Sequence, residues 1–192
     1  MVDEEELKRG SWFEGVLENI LNALGPGHDE IQVEGTPQKM IRKASRAAFL
    51  ISTGAGIPTG PIGLATIIPE VLSLTKLQIN LIFKIAKFYE QEAKVNKTII
   101  LAILGGALGL VLKHALINKV GTRIIVRSLS AEGTKRITRE IGEKFATGLL
   151  KRGLGRWLPI LLAPVFGYFS LSMTRRVGRE TESLFSHELE VD

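Results

Sequence analysis

From Ala47 to Pro69 the chain runs 23 residues without a charge, AAFLISTGAGIPTGPIGLATIIP, and this stretch restricts the fold more than any other. A membrane span takes about 20 apolar residues, so length alone would allow one. Gly54, Gly56, Pro58, Gly60, Pro61 and Gly63 interrupt it, however, and proline removes a helix hydrogen bond and clashes with the preceding turn. The stretch therefore predicts a helix, a tight apolar turn and a second helix instead of one straight span. The entering helix opens at Thr36-Pro37, a cap followed by a first-turn proline. Its first half carries Lys39, Arg42, Lys43 and Arg46 and its second half is purely apolar, so it passes from water into something dry.

The second helix is predicted to start at Pro69-Glu70, where proline suits the first turn and a carboxylate suits the positive end of the helix dipole. From there Val71, Leu74, Gln78, Ile82, Ile85 and Tyr89 share one stripe, with Leu77, Leu81 and Phe88 beside it. Gln78 sits in the middle of that stripe. A buried amide left without partners costs about 1 to 3 kcal/mol, so Gln78 is expected to bond to a neighbouring helix or an opened turn. Glu70 and Gln78 are the candidate polar groups of the apolar hairpin region. Structural roles, a helix start and a core amide that fixes packing, are preferred for them over contact with a ligand or cation.

Beyond a polar break at residues 90–97, with Asn96 as the cap, Thr98 to Leu112 are 15 uncharged residues. That is short for a span and suits a buried core helix or a re-entrant segment. Gly105, Gly106 and Gly109 form a small-residue face, and the spacing of Gly105 and Gly109 predicts close approach of another helix. The last apolar block, Trp157 to Met173, holds 17 uncharged residues, among them Pro159 and Pro164. Arg152 and Arg156 precede it, Arg175, Arg176 and Arg179 follow it, and Trp157 and Tyr168 lie near its edges, a pattern like that of interfacial anchors. Its prolines predict a kinked or re-entrant helix. Residues 11–24 place Trp12, Phe13, Val16, Leu17, Ile20, Leu21 and Leu24 at helical spacing, and Gly25-Pro26-Gly27 ends that amphipathic helix.

The net charge of +5 hides an asymmetry, because residues 113–156 hold eleven Lys and Arg against three acids while both tails are acidic. This basic half reads as helical throughout, with Arg123 and Arg127 one turn apart. After Ser130, a second cap, Ile137, Ile141, Phe145 and Leu149 form a stripe opposite Lys135, Arg136, Arg139, Glu140, Glu143 and Lys144. A solvated face is the usual explanation of such a pattern. The functional one is an anionic surface met by Arg123, Arg127, Lys135, Arg136 and Arg139, each cation near an anionic bilayer being worth about 1 kcal/mol. Nucleic acid is disfavoured as a partner, since no aromatics interleave with the cations and no recognised module is present.

Nothing in the chain spells out a reaction. Without cysteine there is no disulfide or thiolate chemistry, and His28, His114 and His187 are far apart with no partner at metal-ligand spacing. The glycine pair Gly148 and Gly153 has the gap of a phosphate loop but is followed by Leu154 where lysine is needed, and the Gly54 to Gly60 run lacks the lysine too. Ser52 lies in no nucleophile-elbow fingerprint, and the acids form no paired-carboxylate site. The expectation is a protein that is not an enzyme and takes no cofactor or metal. The start, MVDEEELKRG, lacks the basic region and apolar core of a secretory signal, which favours a cytoplasmic origin.

Several of these segments together resemble the bacterial EcsC-type proteins. The likeness lies in AAFLISTGAGIPTGPIG, in the following helix with Glu70, Gln78 and IAKFY, and after the glycine-rich helix in VGTRIIVRSL, REIGEKFATGLLKRGLGRWLPILLAPVFGYF and RRVGRETESLF. It covers roughly residues 37–185. Two positions depart from the family pattern, Glu70 where Asp is expected and Glu90 where Gly would follow the tyrosine. The resemblance implies a compact, all-helical, membrane-associated bacterial protein, in one member type encoded beside a transporter.

The expected fold is all-α: a single compact helical bundle of about six helices with broken apolar hairpins. Residues 1–35 are expected to hold an acidic tail, a short amphipathic helix and a linker, 36–185 the helical domain, and 186–192 an acidic C-terminal tail. The expected function is a binding or scaffolding protein at the cytoplasmic face of a bacterial membrane. Its expected partners are anionic lipids and a transporter or other membrane protein. The alternative is a soluble carrier enclosing a lipid or other apolar ligand between the hairpin and the glycine face. Association of copies through the small-residue face or the N-terminal helix is open.

Overall fold

A computed structural model describes residues 15, 19, 31–54, 61–110, 117–120, 123–150 and 159–191, with side chains except at 61–69, 119–120, 145–150 and 159–163. Among the continuously described residues five helices and three short strands follow one another: α1 (Pro37–Gly54), α2 (Pro61–Phe88), α3 (Lys97–Ala107), β1 (Ile117–Val120), β2 (Arg123–Val126), α4 (Ala131–Leu150), α5 (Pro159–Phe185) and β3 (Glu188–Val191). A 3-10 turn, Glu92–Lys94, joins α2 to α3. The chain is thus predominantly α, and the all-α expectation is corrected by a small sheet. Of the helix expected over 11–24, Gly15 and Asn19 are helical and the rest lies outside the described residues. Outside them too lie the apolar turn at 55–60, His28, His114, and the lead-in Arg152, Arg156 and Trp157.

The strands form where the basic half was expected to stay helical. Arg123 to Val126 is a run rich in β-branched residues, which fit a pleated surface better than a helix. Ile124 and Val126 are buried while Arg123 is exposed, the period of two that a half-buried strand requires. β1 pairs antiparallel with β2, and β3 pairs parallel with β2 on its other side, with Arg123 opposite Glu188 and Ile124 opposite Leu189. The acidic segment after residue 185 is therefore partly a strand, in which Leu189 faces the core and Glu188 and Glu190 face out. Arg123 and Arg127 do not share a helical turn.

α3 is the centre of the larger core. Eight of its eleven residues are buried, as expected of a helix that is apolar all round. Around it lie Ile79, Ile82, Phe83 and Ala86 of α2, Ile124 and Val126 of β2, Ile137 and Ile141 of α4, and Met173, Val177, Leu184 and Phe185 of α5. Full burial of one such large side chain contributes about 1.5 to 3 kcal/mol. Asn96 caps α3 as expected, its Oδ1 accepting from the Ile99 N–H at 3.0 Å, and Ser130 does the same for α4 through Gly133. The Gln91 side chain fastens the chain's end to this core. Its Nε2 donates to the carbonyls of Phe185 and His187 and its Oε1 accepts from Leu189 N–H, so one amide satisfies the end of α5 and aligns β3.

Two expectations about glycine and proline are corrected. Gly109 is not on a helix face: it lies at φ +70 just past α3, with Leu110 N–H bonded to Gly105 C=O and Gly109 N–H to Gly106 C=O. That is the Schellman stop, which glycine occupies without strain. The close approach of helices occurs on α5 instead. A Cβ at Gly167 would stand 2.6 Å from Thr53 and 2.8 Å from Phe49, and one at Gly178 would collide with Ile41. Likewise α2 starts at Pro61, leaving Pro69 inside it, so Glu70 is no helix-start residue and the dipole argument does not apply to it.

α2 ends on the same Schellman pattern as α3, with Gln91 N–H bonded to Ala86 C=O and Glu90 N–H to Lys87 C=O, but here the left-handed position, φ 56, holds Glu90. Glu90→Gly is expected to raise stability by about 1 kcal/mol, because a side chain in that conformation is strained; urea unfolding measures it. Gly178→Ala should lower stability by about 1 to 3 kcal/mol through overpacking against Ile41. Gly106→Ala, whose Cβ would meet Glu180 at an ordinary 3.7 Å, should hold or improve it. Equal losses at positions 106 and 178 would contradict the assignment of the close contact to α5.

Candidate anionic surface and polar seam

α1 runs antiparallel to α5, and α2 runs parallel to α5. Ser52 meets Ser170, Ile41 meets Gly178, Gln78 meets Thr174, and Gln91 reaches Phe185. Where the three helices meet, buried polar side chains accompany an apolar cluster of Met40, Ile41, Ala44, Leu81 and Ile85. Ser45 and Ser52 of α1, Thr75 and Gln78 of α2, and Ser170, Thr174 and Thr181 of α5 are all buried. Small hydroxyl residues let the helices approach, and most satisfy themselves locally: Thr75 donates to Val71 C=O and Thr181 to Val177 C=O, both at 2.7 Å. Ser52 and Ser170 share a 2.7 Å hydrogen bond across the α1–α5 contact.

Gln78 takes the place predicted for it, buried within the stripe, and its Nε2 donates to Thr174 Oγ1 at 3.3 Å. Its Oε1 and the Ser45 hydroxyl have no partner among the described residues. Glu70 is half-buried on α2. Burial pushes its carboxyl above the ordinary value, and a hydrogen bond with Ser52 works in the opposite direction. Glu70, Ser52 and Ser170 thus form one chain of polar groups at one end of the seam, while Gln78 and Thr174 lie further along it. The serines and threonines were not singled out as a seam in the sequence, although Ser170, Thr174 and Thr181 at helical spacing carry the signal.

All five cations expected at an anionic surface are exposed: Arg123, Arg127, Lys135, Arg136 and Arg139. They lie on β2, on the link that follows it and in the first half of α4, whose opposite side buries Ile137, Thr138 and Ile141. Acids accompany some of them. Arg123 pairs with Glu188 at 3.3 Å and Arg136 with Glu140 at 3.4 Å. Exposed pairs of this kind contribute little stability but do reduce the local field. Lys144 reaches the carbonyls of Leu108 and Gly109 at the end of α3, a favourable place for a cation.

A cavity of about 30 Å³ lies between α3, the sheet and α5, lined by Ala102, Ile103, Ile117, Ile124 and Glu180 among others. Its volume suits a single water molecule. Gly106, on the glycine face, packs toward the Glu180 carboxylate. Among the described residues no helix is long and apolar enough to cross a membrane, and no three His, Cys, Asp or Glu side chains gather as metal ligands. Compared with protein-family models, with curated proteins and with solved structures, the chain gives no match.

The raised Glu70 pKa makes a signed prediction. A carboxyl whose folded pKa lies above its unfolded value contributes stability that is full below the unfolded value, about 4.3, and is lost as pH rises through the folded one. Glu70→Gln is therefore expected to be more stable than the parent at pH 7 and to lose that advantage at pH 4. Urea unfolding at the two pH values checks it, and an advantage that grows on acidification would contradict it.

Proposed function

We propose that the protein is a membrane-associated binding or scaffolding protein that docks on an anionic bilayer surface through its cations and uncharged segments. The observation that carries this reading is the exposure of Arg123, Arg127, Lys135, Arg136 and Arg139 along one continuous stretch of β2, link and α4. Such a surface attracts anionic headgroups over about a Debye length and is weakened by salt. The uncharged stretches 47–69 and 157–173 supply the apolar component that distinguishes a lipid surface from other polyanions. The likeness to EcsC-type proteins adds a cytoplasmic-face location and a transporter or other membrane protein as further partners within the same proposal.

The test is flotation of the detergent-free protein with phosphatidylcholine vesicles, with and without phosphatidylglycerol. The protein is expected to float with the anionic vesicles at low salt and to float less with the neutral ones. A protein that stays at the bottom of the gradient with anionic vesicles at low salt contradicts the proposal.

A further inference from the structure

The bilayer-docking reading leaves open which surface enters the lipid, and the α1–α5 pair answers it. The antiparallel register, set by Ile41 against Gly178, Ser52 against Ser170, and Phe49 and Thr53 against Gly167, brings the C-terminal end of α1 to the N-terminal half of α5. At that end three of the four large exposed apolar side chains among the described residues gather: Leu50 is 67% exposed, Tyr168 67% and Val165 45%, while Phe88 lies at the far end of α2. The same register sets Arg46 level with Arg175 and Arg42 level with Arg179, with Arg176 beside them, and all five are exposed. Among the described residues none of the five forms an ion pair or side-chain hydrogen bond. Nearby acids are engaged elsewhere, Glu34 with Lys43 and Glu182 with Gln38.

Five arginines crowded across the helix pair outnumber the neighbouring acids Glu180 and Glu182 of α5 and create a positive field that an anionic partner relieves. The spacing of this arrangement suits lipid. Arg46 lies one turn, about 6 Å, from Leu50, and Arg175 lies two turns, about 10 Å, from Tyr168. Interfacial segments bury their apolar face about 5 to 10 Å deep, which puts Arg46 and Arg175 at the inner edge of the headgroups when Leu50, Val165 and Tyr168 are immersed, with Arg42, Arg176 and Arg179 further out. Tyr168 is also a residue type that favours the boundary, with an apolar ring and a polar tip. The β2–α4 surface lacks this pairing, since its cations have acids beside them and Ile125 is its one exposed-side aliphatic on β2.

We infer that the α1–α5 end, with Leu50, Val165 and Tyr168 immersed and Arg42, Arg46, Arg175, Arg176 and Arg179 at the headgroups, is the membrane-inserting surface. In this arrangement the β2–α4 cations stay outside the lipid. This rests on the bilayer-docking proposal above, and the test separates the two.

Because the chain has no cysteine, Tyr168→Cys and Arg136→Cys each give a single attachment point for a polarity-sensitive fluorophore. On vesicles containing phosphatidylglycerol the label at 168 is expected to shift to the blue and brighten, and the label at 136 to stay as in water. In parallel, the unlabelled Arg42→Gln/Arg46→Gln/Arg175→Gln/Arg176→Gln variant should partition onto these vesicles on the order of a thousandfold more weakly. Circular dichroism and urea unfolding establish that these exposed substitutions leave the fold intact. Flotation with an unmoved label at 168, a blue shift at 136, or undiminished partitioning of the folded quadruple variant overturns this inference and leaves bilayer docking standing. Failure of the parent to float overturns both.

Discussion

The approach of α1 to α5 is the contact on which the rest of the structure depends. Gly167 and Gly178 remove the side chains that would collide with Phe49, Thr53 and Ile41, and Ser170 and Thr174 keep the surface between them small. Helices this close bury their backbones against one another, so the polar atoms along the seam must be satisfied there. The Ser52–Ser170 bond and the threonine bonds to preceding carbonyls do that for some of them, while the Ser45 hydroxyl and Gln78 Oε1 have no partner among the described residues. The same register aligns the cationic turns of α1 with those of α5, so packing that is apolar and steric inside determines an electrostatic pattern outside.

Around this pair the other elements play distinct parts. α3 supplies the dry centre, and the sheet closes one side of it with Ile124, Val126 and Leu189. Gln91 ties the chain's end to this arrangement, since its single amide bonds the end of α5, His187 and β3. Buried amides are retained where every group finds a partner, and Gln91 meets that condition better than Gln78, whose Oε1 has none among the described residues.

Much of the helical frame was legible in the sequence because its signals are local. The Thr36-Pro37 start, the Asn96 and Ser130 caps, the buried α3 and the Val71 to Ile85 stripe depend on neighbours within a turn or two, and each is observed. The sheet was not, because each strand is four residues long and β3 pairs across more than sixty residues of intervening chain with β2. ELEV alternates polar and apolar, yet that pattern has no meaning until a partner strand exists. The glycines misled for a related reason: Gly105 and Gly109 have the spacing of a helix interface, but one residue in the left-handed region ends the helix. Of the candidate site residues, exposure of Lys135, Arg136 and Arg139 followed from helix periodicity in α4. The ion pair of Arg123 with Glu188 depended on the unforeseen sheet.

The proposed bilayer role rests on where charge and apolar surface meet. A basic face alone serves many polyanions, and an apolar patch alone serves many partners. Their succession along α1 and, in the reverse direction, along α5 is the ground for proposing a layered partner with charge outside and hydrocarbon within. The measurement that tests this most directly is backbone hydrogen exchange of the unmodified protein with and without vesicles containing phosphatidylglycerol. The account predicts slowed exchange in residues 46–54 and 164–172 and unchanged exchange in 131–144. Slowing confined to 131–144, with 46–54 and 164–172 exchanging as in solution, would contradict it.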